Sequence, residues 1–234
     1  MSCSVTEVDR VDARFEPRDW PFARRSAARI EAHWARLVRA NPALFNGRVL
    51  LQYDRRLEAG VFHLRYLETR YSAFIAWRDF GWPDKSVANA FAMAALRASD
   101  DAFLLGEMGP HTANAGKVYF AAGTPDPDDV TEDGRVDLLG SLVRELEEET
   151  GLHRGEVTFG GGWTAVVDEQ RMAFLRPARI DLEAKEARDL ILSRLSRQER
   201  PELSDIHIVR ARADIDPVRM PTFACAYLAH MLSC

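Results

Sequence analysis

Apolar residues recur with two different spacings along the chain, and these spacings predict a mixture of helices and strands. Leu139, Leu142, Val143 and Leu146 share one face of a helix, because successive helical residues are about 100° apart. Shorter apolar runs between turn residues predict strands. Helices are predicted over residues 21–40, 71–80, 137–150, 182–197 and 221–232. Strands are predicted over residues 48–53, 60–68, 88–96, 102–107, 117–123, 156–167, 171–180 and 206–210.

The order of these elements predicts an α/β fold, an α/β/α sandwich around a mixed sheet. Residues 1–86 are predicted to form an N-terminal extension with a helix, a β-hairpin and a short helix, and residues 87–234 to form the main domain. Residues 1–18 are polar without a clear period, so we expect them to be mobile or to lie over the surface. The aromatic residues of the 71–80 helix either stack on a nucleobase or pack in the core, and core packing is favoured.

Composition and charge exclude several classes of protein. The chain has 234 residues, 47% of them hydrophobic, which is enough for a sizeable core. A net charge of −5 without a long basic run argues against nucleic acid as a partner. No apolar run approaches the roughly 20 residues of a membrane helix, and the N-terminus lacks the apolar stretch of a signal peptide. We therefore expect a cytoplasmic protein. Cys3, Cys225 and Cys234 have no spacing typical of a disulfide framework or a zinc site.

Three carboxylates converge on the helix predicted to end at Gly151. Glu145, Glu148 and Glu149 follow the spacing i, i+3 and i+4, so they share one sector of the helix, where like charges repel. A hard divalent cation takes oxygen ligands and would offset this repulsion, while Arg144 supplies a positive charge on the adjoining face. The alternative is a solvated acidic face, which is what most runs of charge are.

The joint pattern of residues 144–152 distinguishes these alternatives. It fills every fixed position of R-E-U-x-E-E-x-G-U and so resembles the core of the Nudix box. The full box begins with a glycine followed six positions later by an acid, which Gly123 and Asp129 satisfy, although the family has Glu at the second position. Fourteen residues rather than seven then separate Asp129 from Arg144, so about seven residues are inserted in a turn-rich loop. Asp129 and Asp137 are competing partners for Arg144.

The resemblance implies a Nudix fold and a metal-dependent hydrolase that attacks phosphorus with an activated water. It implies Mg²⁺ or Mn²⁺ held by Glu145, Glu148 and Glu149, with the Gly123 carbonyl as a further ligand. Arg144 would hold the carboxylates in place, and Glu145 is also a candidate to take the proton from water. A later acidic residue often serves as ligand or base in this family, and the candidates are Asp168, Glu169 and Glu202.

The chain outside the box is similar to the UDP-sugar pyrophosphatase-like branch, chiefly over residues 44–152. This similarity implies hydrolysis of UDP-glucose or UDP-galactose to UMP and sugar 1-phosphate. A coenzyme A pyrophosphatase is the first alternative, because residues 111–120 partly resemble the run that precedes the box in those enzymes. A non-catalytic nucleotide-binding Nudix domain is the second alternative, although such domains usually lack the box carboxylates. Homodimers are common in the family, so a homodimer is an open alternative to a monomer.

Overall fold

A computed structural model describes residues 3–233 and arranges the strands in two sheets. The strands are β1 (Ser4–Val8), β2 (Arg10–Phe15), β3 (Arg48–Glu58), β4 (Val61–Arg70), β5 (Asn89–Arg97), β6 (Phe103–Met108), β7 (Val118–Tyr119), β8 (Ala122–Gly123), β9 (Val157–Phe159), β10 (Trp163–Asp168), β11 (Arg171–Ile180) and β12 (Leu203–Val209). The helices are α1 (Pro21–Arg25), α2 (Ala27–Ala40), α3 (Tyr71–Asp79), α4 (Leu138–Thr150), α5 (Ala184–Leu195) and α6 (Thr222–Met231).

The large sheet is mixed and has the strand order β1-β10-β11-β5-β6-β12. Strands β5 and β11 are parallel, and the other pairs are antiparallel. β5 and β6 meet at a hairpin, where Arg97 lies opposite Phe103. Beyond it they separate, and β7 pairs with β6 while β8 pairs with β5. The strand predicted over residues 117–123 is therefore two short strands, because the segment changes partner between them.

Helices cover both sides of the large sheet. α4 packs against β5 and β8, and α5 packs against β6 and β12. α6 packs against β1, β10 and β11, and its Phe223 ring lies 5.5 Å from the ring of Phe91 on β5. β5 is an almost unbroken apolar run, as expected of a strand covered on both faces. The predicted α/β fold with a mixed sheet between helices is confirmed.

The small sheet has the order β2-β4-β3 and contains the predicted hairpin, whose first strand is longer than expected. Leu50, Leu64 and Tyr66 on this sheet belong to the main core. Leu51 and Leu67 belong instead to a second apolar cluster with α1, α2 and α3. The small sheet thus connects the N-terminal helices to the main core.

The first residues do not lie loosely on the surface, so that expectation was wrong. β1 pairs antiparallel with β10, with Ser4 opposite Val167 and Val8 opposite Trp163, and β2 pairs in parallel with β4. β1 lies at the edge of the sheet and is held by backbone hydrogen bonds, so its exposed side chains need not be apolar. Residues 4–8 of the predicted extension therefore belong to the large sheet, and the division at residue 86 remains a prediction.

Three other features complete the description. The predicted first helix is divided at Ser26 into α1 and α2, and the predicted 156–167 strand is interrupted at the glycines of residues 160–162. Cys3 and Cys225 are free thiols, and Cys234 lies outside the described residues. No helix within residues 3–233 is long and apolar enough to cross a membrane.

Candidate active site

Helix α4 is fixed at both ends and along its apolar face. The Asp137 side chain accepts a hydrogen bond from the Gly140 N–H at 2.9 Å and caps the first turn. Gly151 ends the helix in a left-handed conformation with φ of 71°, and its N–H donates to the Glu147 carbonyl at 2.8 Å. Leu142 and Leu146 are buried beneath the helix. The helix therefore presents its carboxylates from a rigid position.

Glu149 is a buried carboxylate with one oxygen left unpaired. Its residue exposure is 3%, and its Oε2 atom has no hydrogen-bond partner among residues 3–233. Burial, and then the charges of Glu145 and Glu202, raise the pKa of Glu149 well above its usual value, although a hydrogen bond from the Ala122 N–H opposes this. A buried charged group without a partner is costly, so Glu149 needs either a proton or a cation.

Glu145 lies one helical turn before Glu149 and is less deeply buried, with 16% of its side chain exposed. Burial raises the pKa of Glu145 to about 7, and the charges of Glu148 and Glu202 act in the same direction, while the Arg144 guanidinium opposes them. A Cβ atom added to Gly123 would lie 2.3 Å from the carboxyl carbon of Glu145. The glycine of β8 therefore lies directly against this carboxylate.

Glu148 is placed differently from the other two carboxylates of the box. Its side chain is 63% exposed, and its Oε2 atom lies 3.9 Å from Nη1 of Arg144. The structure thus places the buried Glu149 and the partly buried Glu145 together at the cavity and leaves Glu148 at the surface.

A second cluster with possible metal ligands is already paired with arginines. Within residues 3–233, the one trio of His, Cys, Asp or Glu whose ligand atoms all lie within 4.8 Å of one another is Glu107, Asp205 and His207. Glu107 accepts from Arg219 at 2.5 Å and lies 2.8 Å from His207, and Asp205 accepts from Arg188 at 2.7 Å. These guanidinium groups satisfy the carboxylates, so we interpret the trio as part of an ion-pair network.

Arg144 is paired with Asp129, not with Asp137. Its Nη2 atom lies 2.9 Å from Asp129 Oδ1, and its Nη1 atom lies 2.9 Å from Glu145 Oε1. The inserted loop folds back on itself through a bridge between Val130 and Val136. The Asp137 N–H then donates to the Asp129 carbonyl at 2.8 Å and closes the base of the loop. The insertion therefore leaves Asp129 next to the start of α4.

Asparagine at position 129 or 137 should have unequal effects on stability. Asp129 is 8% exposed and carries the charge that pairs with Arg144, so Asp129→Asn should lower the free energy of unfolding by about 1–3 kcal/mol. Asp137→Asn should be close to neutral, because asparagine is an equally good N-cap. Urea denaturation of both variants measures the difference. A larger loss for Asp137→Asn would contradict this pairing.

A cavity of about 740 Å³ opens onto the buried carboxylates. Glu145, Glu149 and Gly123 line one part of it. The basic side chains Arg78, Lys117, Arg171 and Arg200 also line it. The aromatic residues that line the cavity in the described part of the chain are Tyr71, Phe74, Trp82, Phe91, Tyr119 and Phe223. The cavity thus combines an acidic cluster, positive charge and flat apolar surfaces.

The three later acidic candidates occupy different places. Glu202 lines the cavity, and its charge raises the pKa of both Glu145 and Glu149. Asp168 is 3% exposed and does not line the cavity. Glu169 is exposed in the turn between β10 and β11, with φ of 53°, and does not line the cavity. Of the three, only Glu202 is therefore brought to the box carboxylates.

Asp168 instead holds an arginine that the sequence did not single out. It accepts hydrogen bonds from Arg171 and from the Thr222 hydroxyl, and Arg171 also donates to that hydroxyl at 3.0 Å. Arg171 lies opposite Asn89 in the parallel pair of β11 and β5, and both residues line the cavity. Only the pairing of these two distant strands brings Arg171 to the cavity, so no local pattern in the sequence could identify it.

Comparisons with known proteins give matches only at the level of structure. No protein-family model and no curated protein matches the chain. The structure is similar to a Nudix hydrolase from M. smegmatis, with 13% identity, a TM-score of 0.40, and 61% of this chain and 81% of that chain covered. It is also similar to a MutT protein from Methanosarcina mazei, with 16% identity, a TM-score of 0.40, and 61% and 93% covered. An Ap4A hydrolase from C. elegans has 11% identity, a TM-score of 0.39, and 61% and 92% covered. These values are too low to decide what the chain does.

Proposed function

We propose that the chain is a metal-dependent hydrolase of the Nudix type that cleaves the pyrophosphate bond of a nucleoside diphosphate joined to another group. We further propose that the substrate is a UDP-sugar and the products are UMP and sugar 1-phosphate. The observation that carries the proposed type of reaction is the pair of buried Glu149 and partly buried Glu145 on a cavity lined with cations, whereas the choice of a UDP-sugar rests on the similarity of residues 44–152. The pattern of the Nudix box in residues 144–152 supports the type of reaction.

The buried carboxylates fit a hard divalent cation. The unpaired Oε2 atom of Glu149 and the raised pKa of both glutamates indicate a site short of positive charge. Carboxylate oxygens are the ligands that Mg²⁺ and Mn²⁺ prefer. Glu145, Glu149 and Glu202 would hold the ion, with Glu148 and the Gly123 carbonyl as further predicted ligands. When bound, such a metal neutralises phosphate charge and lowers the pKa of water.

The protein's own groups supply orientation and proton transfer. The oxygen of water forms a bond to phosphorus, the bond from phosphorus to the bridging oxygen breaks, and the second phosphate leaves. Glu145 is our candidate to accept the proton from water, as the resemblance to the Nudix box implies, because its carboxylate lines the cavity next to Glu149. Arg144 holds the Glu145 carboxylate in place at 2.9 Å. Lys117, Arg171 and Arg200 would bind the phosphate oxygens.

The proposal is tested by product analysis over a panel of substrates. UDP-glucose, ADP-ribose, NADH, coenzyme A and dinucleoside polyphosphates are incubated with Mg²⁺ or with EDTA, and the products are separated by chromatography. We expect UMP from UDP-glucose in Mg²⁺ and none in EDTA. Cleavage of coenzyme A alone would show that coenzyme A, and not a UDP-sugar, is the substrate. No product from any substrate, with folded protein, would contradict hydrolysis and favour a nucleotide-binding role.

Neighbouring glutamates on α4 provide a matched pair of variants. We expect Glu148→Gln to reduce Mg²⁺-dependent turnover by about 100-fold or more, because it removes a predicted metal ligand. Glu147→Gln should stay within about twofold of the wild type. Both glutamates are exposed and neither lines the cavity, but Glu148 lies 3.9 Å from Arg144, whereas Glu147 points to His153 at 2.8 Å. Rates at saturating UDP-glucose measure both effects, and equal rates for the two variants would remove Glu148 from the site.

A further inference from the structure

The C-terminal turn of α3 fixes the position of Trp82. The Gly81 N–H donates to the Arg78 carbonyl, and the Trp82 N–H donates to the Trp77 carbonyl, both at 3.0 Å. This pair of bonds, with φ of 78° at Gly81, is a Schellman motif. The rings of Trp77 and Trp82 lie 4.4 Å apart at 81°, which is the apolar contact that often accompanies the motif. The Trp82 ring thus packs against the fully buried ring of Trp77.

The backbone of Trp82 is strained. Its φ is 59°, in the left-handed region that bulky side chains rarely adopt, and it directly precedes Pro83. The Schellman motif requires a left-handed residue at Gly81 but not at Trp82. The Trp82 side chain is only partly buried and lines the cavity. Strained residues of this kind cluster at sites that bind ligands.

The wall next to Trp82, as described within residues 3–86, is mostly apolar and aromatic and carries Arg78 as its charged residue. Tyr71, Phe74 and Val49 line the cavity on the same N-terminal part of the chain as Trp82. In the described part of the chain, the only carboxylates that line the cavity are Glu145, Glu149 and Glu202, and none belongs to this N-terminal part. Phosphates are suited to the cationic residues on the other wall and to a metal ion that its carboxylates would hold. The aromatic wall is suited to the apolar face of a planar ring.

A loop from the main domain is fastened to the same wall. The Asn41 amide donates to the His111 carbonyl at 2.9 Å, and Arg78 Nη1 lies 3.5 Å from Asn114 Oδ1. His111 and Asn114 both line the cavity. These contacts join His111 and Asn114 to residues at the C-terminal ends of α2 and α3, so the loop and the aromatic wall are connected directly.

We infer that Trp82, supported by Trp77, is the stacking platform for the nucleobase of the substrate, so that the N-terminal part of the chain selects a substrate with a planar ring. This inference rests on the proposed function in that the ring is taken to belong to a nucleoside diphosphate. Stacking on an aromatic side chain tolerates different bases, because every base has a π-face. The identity of the base is then set by other groups in the cavity.

The test compares ligands with and without a base, and it does not depend on turnover. Isothermal titration calorimetry in Mg²⁺ measures the Kd of UMP, AMP and ribose 5-phosphate. We expect UMP or AMP to bind the wild-type protein more tightly than ribose 5-phosphate. Trp82→Leu keeps an apolar side chain against Trp77 and removes the aromatic face, so it should weaken nucleotide binding by roughly 10-fold and leave ribose 5-phosphate unchanged. Trp82→Phe should retain most of the affinity.

Trp34→Leu is the matched control. Trp34 is also partly buried and lies against Tyr71, with ring centroids 6.1 Å apart, but it does not line the cavity. Its replacement should leave all three affinities unchanged. Equal nucleotide affinities in the wild type and Trp82→Leu, or no preference of the wild type for a ligand with a base, would overturn the inference. Trp82-dependent nucleotide binding without hydrolysis of any panel substrate would support the inference while contradicting the proposed reaction.

Discussion

Replacement of Glu149 by glutamine is expected to abolish Mg²⁺-dependent hydrolysis and also to stabilise the metal-free protein. The loss of activity should exceed about 100-fold, because the variant removes the charge of a proposed metal ligand. The gain in stability has a separate origin. Glutamine keeps the size of Glu149 and still accepts the hydrogen bond from the Ala122 N–H. It removes the negative charge, for which the metal-free protein provides no cation at the Oε2 atom within residues 3–233.

The pH dependence of this gain follows from the raised pKa of Glu149. Below the ordinary pKa of 4.5, the carboxyl is protonated in both the folded and the unfolded chain, so the variant and the wild type should be equally stable. Above it, the unfolded chain releases the proton more readily than the folded chain, so the folded wild type loses stability as the pH rises. Glu149→Gln removes this loss and should gain about 1–3 kcal/mol at pH 8.

Thermal unfolding in EDTA at pH 4 and pH 8 measures the effect. A gain of 1 kcal/mol corresponds to about 2–4 °C for a chain of this size. Glu147→Gln, on the exposed face of the same helix, should show no such gain. A Glu149→Gln variant that melts below the wild type at pH 8 would show that the fold already satisfies this charge.

Replacement of Gly123 by alanine is expected to reduce hydrolysis by about 100-fold with little change in stability. The new Cβ atom would lie 2.3 Å from the Glu145 carboxyl carbon, so that carboxylate must move. Because the carboxylate is the far end of a flexible side chain, the fold can accommodate the change by rotating it. A misplacement of about 1 Å in a reacting group can cost on the order of 100-fold in rate.

Gly155→Ala is the control for this variant. A Cβ atom at Gly155 would have no neighbour within 4 Å, so we expect wild-type rates and stability. Turnover of UDP-glucose and the midpoint of urea denaturation separate the two effects. Normal turnover by Gly123→Ala would show that the reaction does not depend on the position of the Glu145 carboxylate next to Gly123. A large loss of stability would assign Gly123 a structural role instead.

The sequence was most informative where the structure is local. The spacing of apolar residues and the glycine at position 151 predicted α4, and the helical period predicted that Glu145 and Glu149 lie close together. The period does not predict burial, so it could not separate the buried Glu149 from the exposed Glu148. That difference depends on what packs over the helix.

Features that depend on distant parts of the chain were not predictable in this way. The partner of Arg144 stayed open because the folding back of residues 130–136 brings Asp129 beside α4. β1 was missed because an edge strand held by backbone hydrogen bonds needs no apolar pattern. Arg171 and Trp82 reach the cavity from separate elements, and only the assembled fold places them together.

Binding of Mn²⁺, followed by electron paramagnetic resonance of the free ion, tests the central claim most directly. We predict that the wild-type protein binds Mn²⁺ and that Glu149→Gln weakens this binding by about 100-fold, while Glu147→Gln binds like the wild type. Equal Mn²⁺ binding by the wild type and Glu149→Gln would contradict the assignment of the buried carboxylates as a metal site.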